Sequence, residues 1–166
     1  MITMSAGMRL LWNNKAKKEV PLTLLTDYLD KGFIVVDDCV FFRQEWRKGL
    51  KHVNLDAVYS FCNDLTGYEC SVNRFHIEDY CKGYSNEDLV NVSFTFLEEF
   101  AELWRTNFDF PCVAILGLHL VPIFDEDEIV PTAVFRFHKK REGEIWIEPE
   151  TFTGPNECVL AMEINK

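Results

Sequence analysis

The chain has 166 residues, 48% hydrophobic and 27% charged, proportions that exclude wholesale disorder, a rod-like repeat and a disulfide-knot miniprotein. One domain of this length buries roughly 70% of its unfolded surface. A net charge of −10 and a pI near 4.8 argue against nucleic acid as a direct ligand.

In chain order, Pro21 suits a first helical position, and Leu22, Leu25 and Leu29 follow at helical spacing up to Gly32. Phe33–Val36 and Cys39–Phe42 read as two short strands pinched by an Asp37-Asp38 turn. Asn54 can cap a helix whose apolar face is Leu55, Val58, Tyr59, Cys62 and Leu65, with Gly67 just beyond its end. Tyr68, Cys70 and Val72 alternate with polar residues and predict a short strand. Ser85 opens the clearest helix, near 86–105, in which Leu89, Val92, Phe96, Phe100, Leu103 and Trp104 share one face.

From Cys112 the period changes to two. Cys112–Leu120 reads as a central strand buried on both faces, and Ala133, Phe135 and Phe137 alternate in the next. A basic turn over 139–143 leads to a predicted strand at Glu144–Glu148, and Cys158, Leu160, Met162 and Ile164 share one side of the last. The expected architecture is α+β: helices in the N-terminal two-thirds and a C-terminal antiparallel β-meander. No repeat or Gly/Ser linker divides the chain, so a single domain over 1–166 is expected.

The segment from Met1 to Trp12 has no basic flank followed by an apolar run, and no stretch is long and apolar enough for a membrane span. A cytoplasmic location without a membrane partner follows as the expectation. Cys39, Cys62, Cys70, Cys81, Cys112 and Cys158 then read as reduced, buried thiols. Cys62, Cys70, His76 and Cys81 lie within twenty residues, but no Cys-x-x-Cys places two thiolates on one turn, so neither a metal nor another cofactor is expected.

A cysteine nucleophile needs a histidine and a group to orient it. His119, His138, Glu148 and Glu150 supply candidates. The stretch from Thr132 to Glu150 resembles the C-terminal strands of papain-like and transglutaminase-like folds, where a His-Ala pair begins one strand. Thr132-Ala133 stands at that place here, so the imidazole is missing and no catalytic residue is assigned. An enzyme of that type, or a decayed relative, is the alternative reading. All eight glycines are isolated, and neither Gly-x-Ser-x-Gly nor His-Glu-x-x-His occurs, which lowers the expectation of nucleotide enzymes, serine hydrolases and zinc proteases.

Charge is uneven along the chain. Residues 1–50 carry eight Lys/Arg against six Asp/Glu, 51–100 three against nine, and 101–166 six against twelve. Clustered carboxylates steer cationic proteins and aromatic rings anchor them. The candidate partner-binding residues are therefore Asp125, Glu126, Asp127 and Glu128, with Glu98, Glu99 and Glu102 on the long helix, and Trp146. The 14 phenylalanines among 23 aromatic residues leave Trp12, Phe41, Phe42, Trp46, Phe108, Phe110 and Phe152 as further rings off one obvious core face.

In size, acidity and absence of catalytic motifs the chain resembles the immunity proteins of bacterial polymorphic-toxin and contact-dependent inhibition systems. That resemblance implies a non-catalytic protein whose partner is a cognate basic toxin of nuclease type, neutralised by occlusion of its active site. The contact would be made by the acidic surface, or by β-augmentation at an open sheet edge.

Overall fold

The change of period at Cys112 divides this α+β protein into a helix-rich part and a sheet-rich part. The structure, a computed structural model of the chain, describes residues 1–14, 22, 24–46, 51–81, 84–122, 129–154 and 156–166. Its elements are β1 (Ile2–Met4), α1 (Ala6–Asn13), α2 (Leu24–Asp30), β2 (Phe33–Val36), β3 (Cys39–Phe42), α3 (Leu55–Phe61) and α4 (Leu65–Val72). There follow β4 (Phe75–His76), α5 (Asn86–Asn107), β5 (Cys112–Pro122), β6 (Ile129–Lys139) and β7 (Glu157–Ile164).

The main sheet has the order β1-β7-β5-β6-β4, antiparallel throughout. β5 and β6 pair from Cys112↔Lys139 to Pro122↔Ile129. β7 then adds to the other edge of β5, from Cys112↔Ile164 to His119↔Glu157. The last strand thus crosses over instead of extending the sheet in sequential order. β2 and β3 form a separate hairpin from Phe33↔Phe42 to Val36↔Cys39. At its turn Asp37 takes φ 51, a left-handed conformation that Asp tolerates.

Alternation buries Cys112, Ala114, Leu116 and Leu118 with Phe135, Phe137, Leu160 and Ile164 beneath α5. α5 begins where Ser85 Oγ accepts the Asp88 amide at 3.1 Å, closing one of the unpaired N–H groups of the first turn. Its Leu89, Val92, Phe96, Phe100 and Trp104 then enter the same core. Phe42–Phe137 and Phe96–Phe135 meet edge to face at 4.9 and 5.0 Å, pairs worth about 0.5–1.5 kcal/mol each beyond area burial. Most of the aromatic excess is therefore core. Trp12 packs edge-on against Phe94, and Phe41 stacks on Trp46.

Five local expectations are corrected. Residues 68–72 are helical, not extended, because Asp64 Oδ1 accepts the Gly67 amide at 2.7 Å and starts α4. Gly67 lies inside α4, where an added Cβ would stand 2.3 Å from the Cys62 carbonyl oxygen, so only glycine allows α3 and α4 this approach. α3 buries Val58 alone and leaves Leu55 and Tyr59 exposed. Cys112, Ala114, Leu116 and Leu118 of β5 are buried on the α5 side, while His119 on the other face is exposed.

The predicted strand at 144–148 is not one either. Both edges of β6 are already taken, by β5 on one side and by β4 and α4 on the other. α4 does this with side chains. Glu69 Oε1 accepts the Val40 amide of β3 at 2.6 Å, and Oε2 accepts the Lys139 amide of β6 at 3.0 Å. Asn73, one turn later, accepts the Phe42 amide and donates to the Val40 and Phe137 carbonyls. The helix thereby joins the hairpin to the main sheet.

Glu69 is fully buried, and Arg141 Nη1 meets its Oε2 at 2.6 Å. Burial pushes the carboxyl above its ordinary range, and the Arg141 hydrogen bond is the main influence drawing it back. Removing one partner of such a pair leaves a buried charge uncompensated. Glu69→Gln is expected to cost about 3 kcal/mol or more. Asn73→Ala is expected to cost about 1–3 kcal/mol through its unsatisfied backbone groups. Both losses would be read as a lower urea midpoint at unchanged slope. An unchanged midpoint for Glu69→Gln would show that the pair does not hold the hairpin to the sheet.

Candidate functional site

The second face of the sheet carries the opposite residues of the same alternation. These are Val113, Ile115, Gly117 and His119 of β5, Thr132, Val134, Arg136 and His138 of β6, and Val159, Ala161 and Glu163 of β7. Among the described residues no long helix covers them. The chain leaving β6 crosses this face as a strap over 144–152, ending in a single 3₁₀ turn at Pro149–Thr151. Ile147 and Phe152 pack on Cys70, Ile115, Val159 and Ala161 as a separate, smaller core cluster. The strap is held at Glu144, whose Oε2 accepts the Thr66 amide at 3.2 Å. Trp146 is held against Gly67, where its Cζ3 lies 3.2 Å from the position of an added Cβ.

The strap separates two cavities. The first, about 440 Å³, has an apolar floor of Val113, Ile115 and Ala161 and a rim of Glu144, Glu148, Glu150 and Glu163. Ile145 and Trp146 remain 69% and 39% exposed at its edge. Glu163 pairs with Lys140 at 2.7 Å, and that hydrogen bond holds its carboxyl below the usual range. His138 lies at the base, 3% exposed, its Nδ1 2.9 Å from the Lys139 carbonyl.

The second cavity, about 590 Å³, is lined by Arg74, His76, His119, Thr132, Arg136 and Phe152, among others. Trp146 and Ile147 line both. Arg136 lies over the Trp146 ring at 5.8 Å. Burial, and then the Arg74 charge, pull Arg136 below the usual arginine range.

Of the candidate residues, Trp146 lines both cavities. Glu98, Glu99 and Glu102 are exposed on the outer side of α5, with Glu102 paired to Arg105. α5 covers the opposite face of the sheet, so these glutamates and Trp146 do not form one surface. Asp125, Glu126, Asp127 and Glu128 lie outside the described residues. Sequence reasoning missed Arg74, His119, Arg136 and the strap glutamates as neighbours. The signal available for Arg136 and His119 was their place on the polar phase of alternating strands.

The pieces of a cysteine nucleophile are dispersed. Cys112 and Cys158 belong to the α5 side of the sheet, whereas His119 and His138 belong to the other. Burial pushes the Cys39 thiol up to about 12 and Cys81 to about 11. It raises Cys70, Cys112 and Cys158 as well, the reverse of what an attacking thiolate needs. Cys70 and Cys81 lie in separate core clusters, and no group of three or more potential metal ligands occurs among the described residues. Nor is any described helix long and apolar enough to cross a membrane.

Fold and face together define an α+β protein whose antiparallel sheet is helix-covered on one side and strapped on the other. The chain belongs to the Uncharacterized protein PM0498 family, whose pattern matches residues 4–166 and so takes in the strap and the whole of the second cavity. It is 35% identical over 155 residues to Uncharacterized protein PM0498 of Pasteurella multocida (strain Pm70), a match covering 92% of this chain and 90% of that one. No solved structure matches it.

Two measurements check the chemistry of this region. Burial, ahead of the Arg141 charge, lowers the His138 pKa, while the Lys139 carbonyl and the Glu144 and Asp64 charges act the other way. The unfolded histidine titrates near 6.5, so between that value and the lower folded one the unfolded chain binds more protons. Stability is then lost as pH falls through that window. The melting temperature is expected to drop from pH 7.5 to 5.5, and His138→Gln to flatten the drop. Asp37, Asp38 and Glu163, all lowered, add their losses only in the carboxylate range below.

Iodoacetamide at pH 7.5 should modify half-buried Cys62 first. The other five thiols should react only when the chain is unfolded. Rapid modification of any buried thiol would instead favour the cysteine-enzyme alternative.

Proposed function

We propose that this chain is a non-catalytic binding protein of the cytoplasm that neutralises a basic protein partner, in the manner of an immunity protein blocking a nuclease-type toxin. The observation that supports this reading is the first cavity. It combines an apolar floor, exposed Ile145 and Trp146, and a rim of four glutamates. A lysine or arginine of the partner can lay its aliphatic stem on such a floor and its charge on the rim. Trp146 supplies the kind of partly desolvated ring that dominates interface energies. The net charge of −10 adds steering at longer range.

The contact belongs to the strap, not to α5, because the strap presents carboxylates and apolar anchors together. The tagged chain would be used to retain partners from its native host at low and then high salt. Support requires a basic protein, toxic when expressed alone and protected against by this chain. Glu148→Lys with Glu150→Lys should weaken binding by about tenfold or more and reduce its salt dependence. Glu98→Lys with Glu99→Lys changes the charge equally on the opposite face and should weaken it far less. Equal effects of the two double variants would overturn the strap assignment. A retained protein that is acidic, or harmless when expressed alone, would overturn the neutraliser reading.

A further inference from the structure

The second cavity has a chemistry that the binding of a basic protein does not use. We propose that the groove bounded by Arg74, His119, Thr132, Arg136, Trp146 and Phe152 is a binding site for a small phosphate monoester bearing a planar organic group. Its volume of about 590 Å³ falls within the ~300–1,000 Å³ of small-molecule pockets. No Asp or Glu lines it among the described residues.

The arginines carry the argument. In a chain with 27 acidic residues, Arg105 and Arg141 both find carboxylates. Arg136 has no hydrogen bond or ion pair among the described residues, and its contact is the Trp146 ring. Among the described residues Arg74 reaches only His76, with Nη2 3.2 Å from Nε2. The Arg74 charge thus bears on Arg136 with no carboxylate paired to either guanidinium among the described residues. Arginine does not give up its proton at physiological pH, so the positive charge persists.

Arg74 is also linked to β6 through side chains. The Ala133 amide of β6 donates to Glu78 Oε2 at 2.8 Å, and Glu78 Oε1 lies 2.7 Å from His76 Nδ1. A proton on Nδ1 shared with Glu78 leaves Nε2 as the acceptor for Arg74. This chain of contacts runs from β6 through Glu78 and His76 to Arg74, which is exposed at the groove.

Two guanidinium groups call for two negative charges on one centre. A phosphate monoester carries about −1.5 to −2 at neutral pH, and its oxygens fit the arginine fork. A monocarboxylate would compensate only one arginine. His119 and Thr132 add further hydrogen-bonding groups to the lining. Trp146 and Phe152 offer ring faces, and Gly117 opens the floor. An added Cβ there meets nothing closer than 3.8 Å, so a larger residue projects into the groove without a backbone clash.

Titration calorimetry with phenyl phosphate, inorganic phosphate and benzoate at pH 7.5 tests the assignment. Phenyl phosphate should bind about tenfold or more tightly than either of the others. Arg136→Gln should weaken it by about tenfold or more through loss of a charge-assisted hydrogen bond. Gly117→Val, a β-branched residue suited to a strand, should block the site. Arg9→Gln, an exposed arginine of α1, should bind as the parent does, and circular dichroism would show that each variant is folded. Benzoate binding as well as phenyl phosphate overturns the phosphate assignment. Inorganic phosphate binding equally well overturns the planar group. Affinity unchanged by both Arg136→Gln and Gly117→Val overturns the site.

Discussion

A carboxylate with no exposure to water, Glu69, is the constraint around which the rest of this molecule is arranged. Burying an ion costs several kcal/mol unless donors replace its hydration, and here they come from three places in the chain. The Val40 amide belongs to the hairpin, the Lys139 amide to the main sheet, and the guanidinium of Arg141 to the segment beyond β6. Arg141 also donates to the Asp38 carbonyl at 2.7 Å, so the hairpin turn is tied to the same centre. Desolvation offsets much of the Coulomb attraction in such a pair. What it contributes most is direction, because no donor can move without leaving the carboxylate short of a partner.

The strap follows from that arrangement. Once α4 fills the edge of β6 with Glu69 and Asn73, the chain leaving Lys139 finds no free edge on β6 and runs across the open face instead. A strap cannot cover five strands as a helix does, so cavities remain on either side of it. Trp146 and Ile147 stand between a carboxylate rim and an arginine pair. No ion pair joins Arg74 or Arg136 to Glu144, Glu148, Glu150 or Glu163 among the described residues. Opposite charges that would otherwise neutralise each other are kept as two surfaces of different sign.

The elements that could be read from the amino-acid sequence are those whose signal is local. The alternation of Ala133, Phe135 and Phe137, the cap at Ser85 and the Asp37-Asp38 turn each specify their structure within a few residues. Residues 68–72 misled because Tyr68, Cys70 and Val72 satisfy a strand period, whereas α4 is specified by Asp64 before it and by the i, i+4 pair Glu69 and Asn73. That pair has meaning only with β3 and β6 on either side. Ile145 and Ile147 likewise alternate, but a strand needs a free partner edge, and edge availability is not written in a local window. For the candidate site, Trp146 was legible as a ring among acids. Which face of the sheet α5 would take was not, and that choice separates Glu98, Glu99 and Glu102 from the strap. Arg74 and Arg136 lie 62 positions apart in the chain, and they meet because β4 adds to β6 at Phe75↔Phe135.

Net charge and site charge act over different distances. At physiological ionic strength the field of exposed groups is screened over about 8 Å, so a charge of −10 speaks to what approaches the molecule. It says little about a groove whose own groups dominate at contact range. An acidic chain can therefore draw in a cationic protein across the strap glutamates and still hold an anion between Arg74 and Arg136. The strap stands between the two, since Trp146 and Ile147 line both cavities and the Trp146 ring lies against the Arg136 guanidinium.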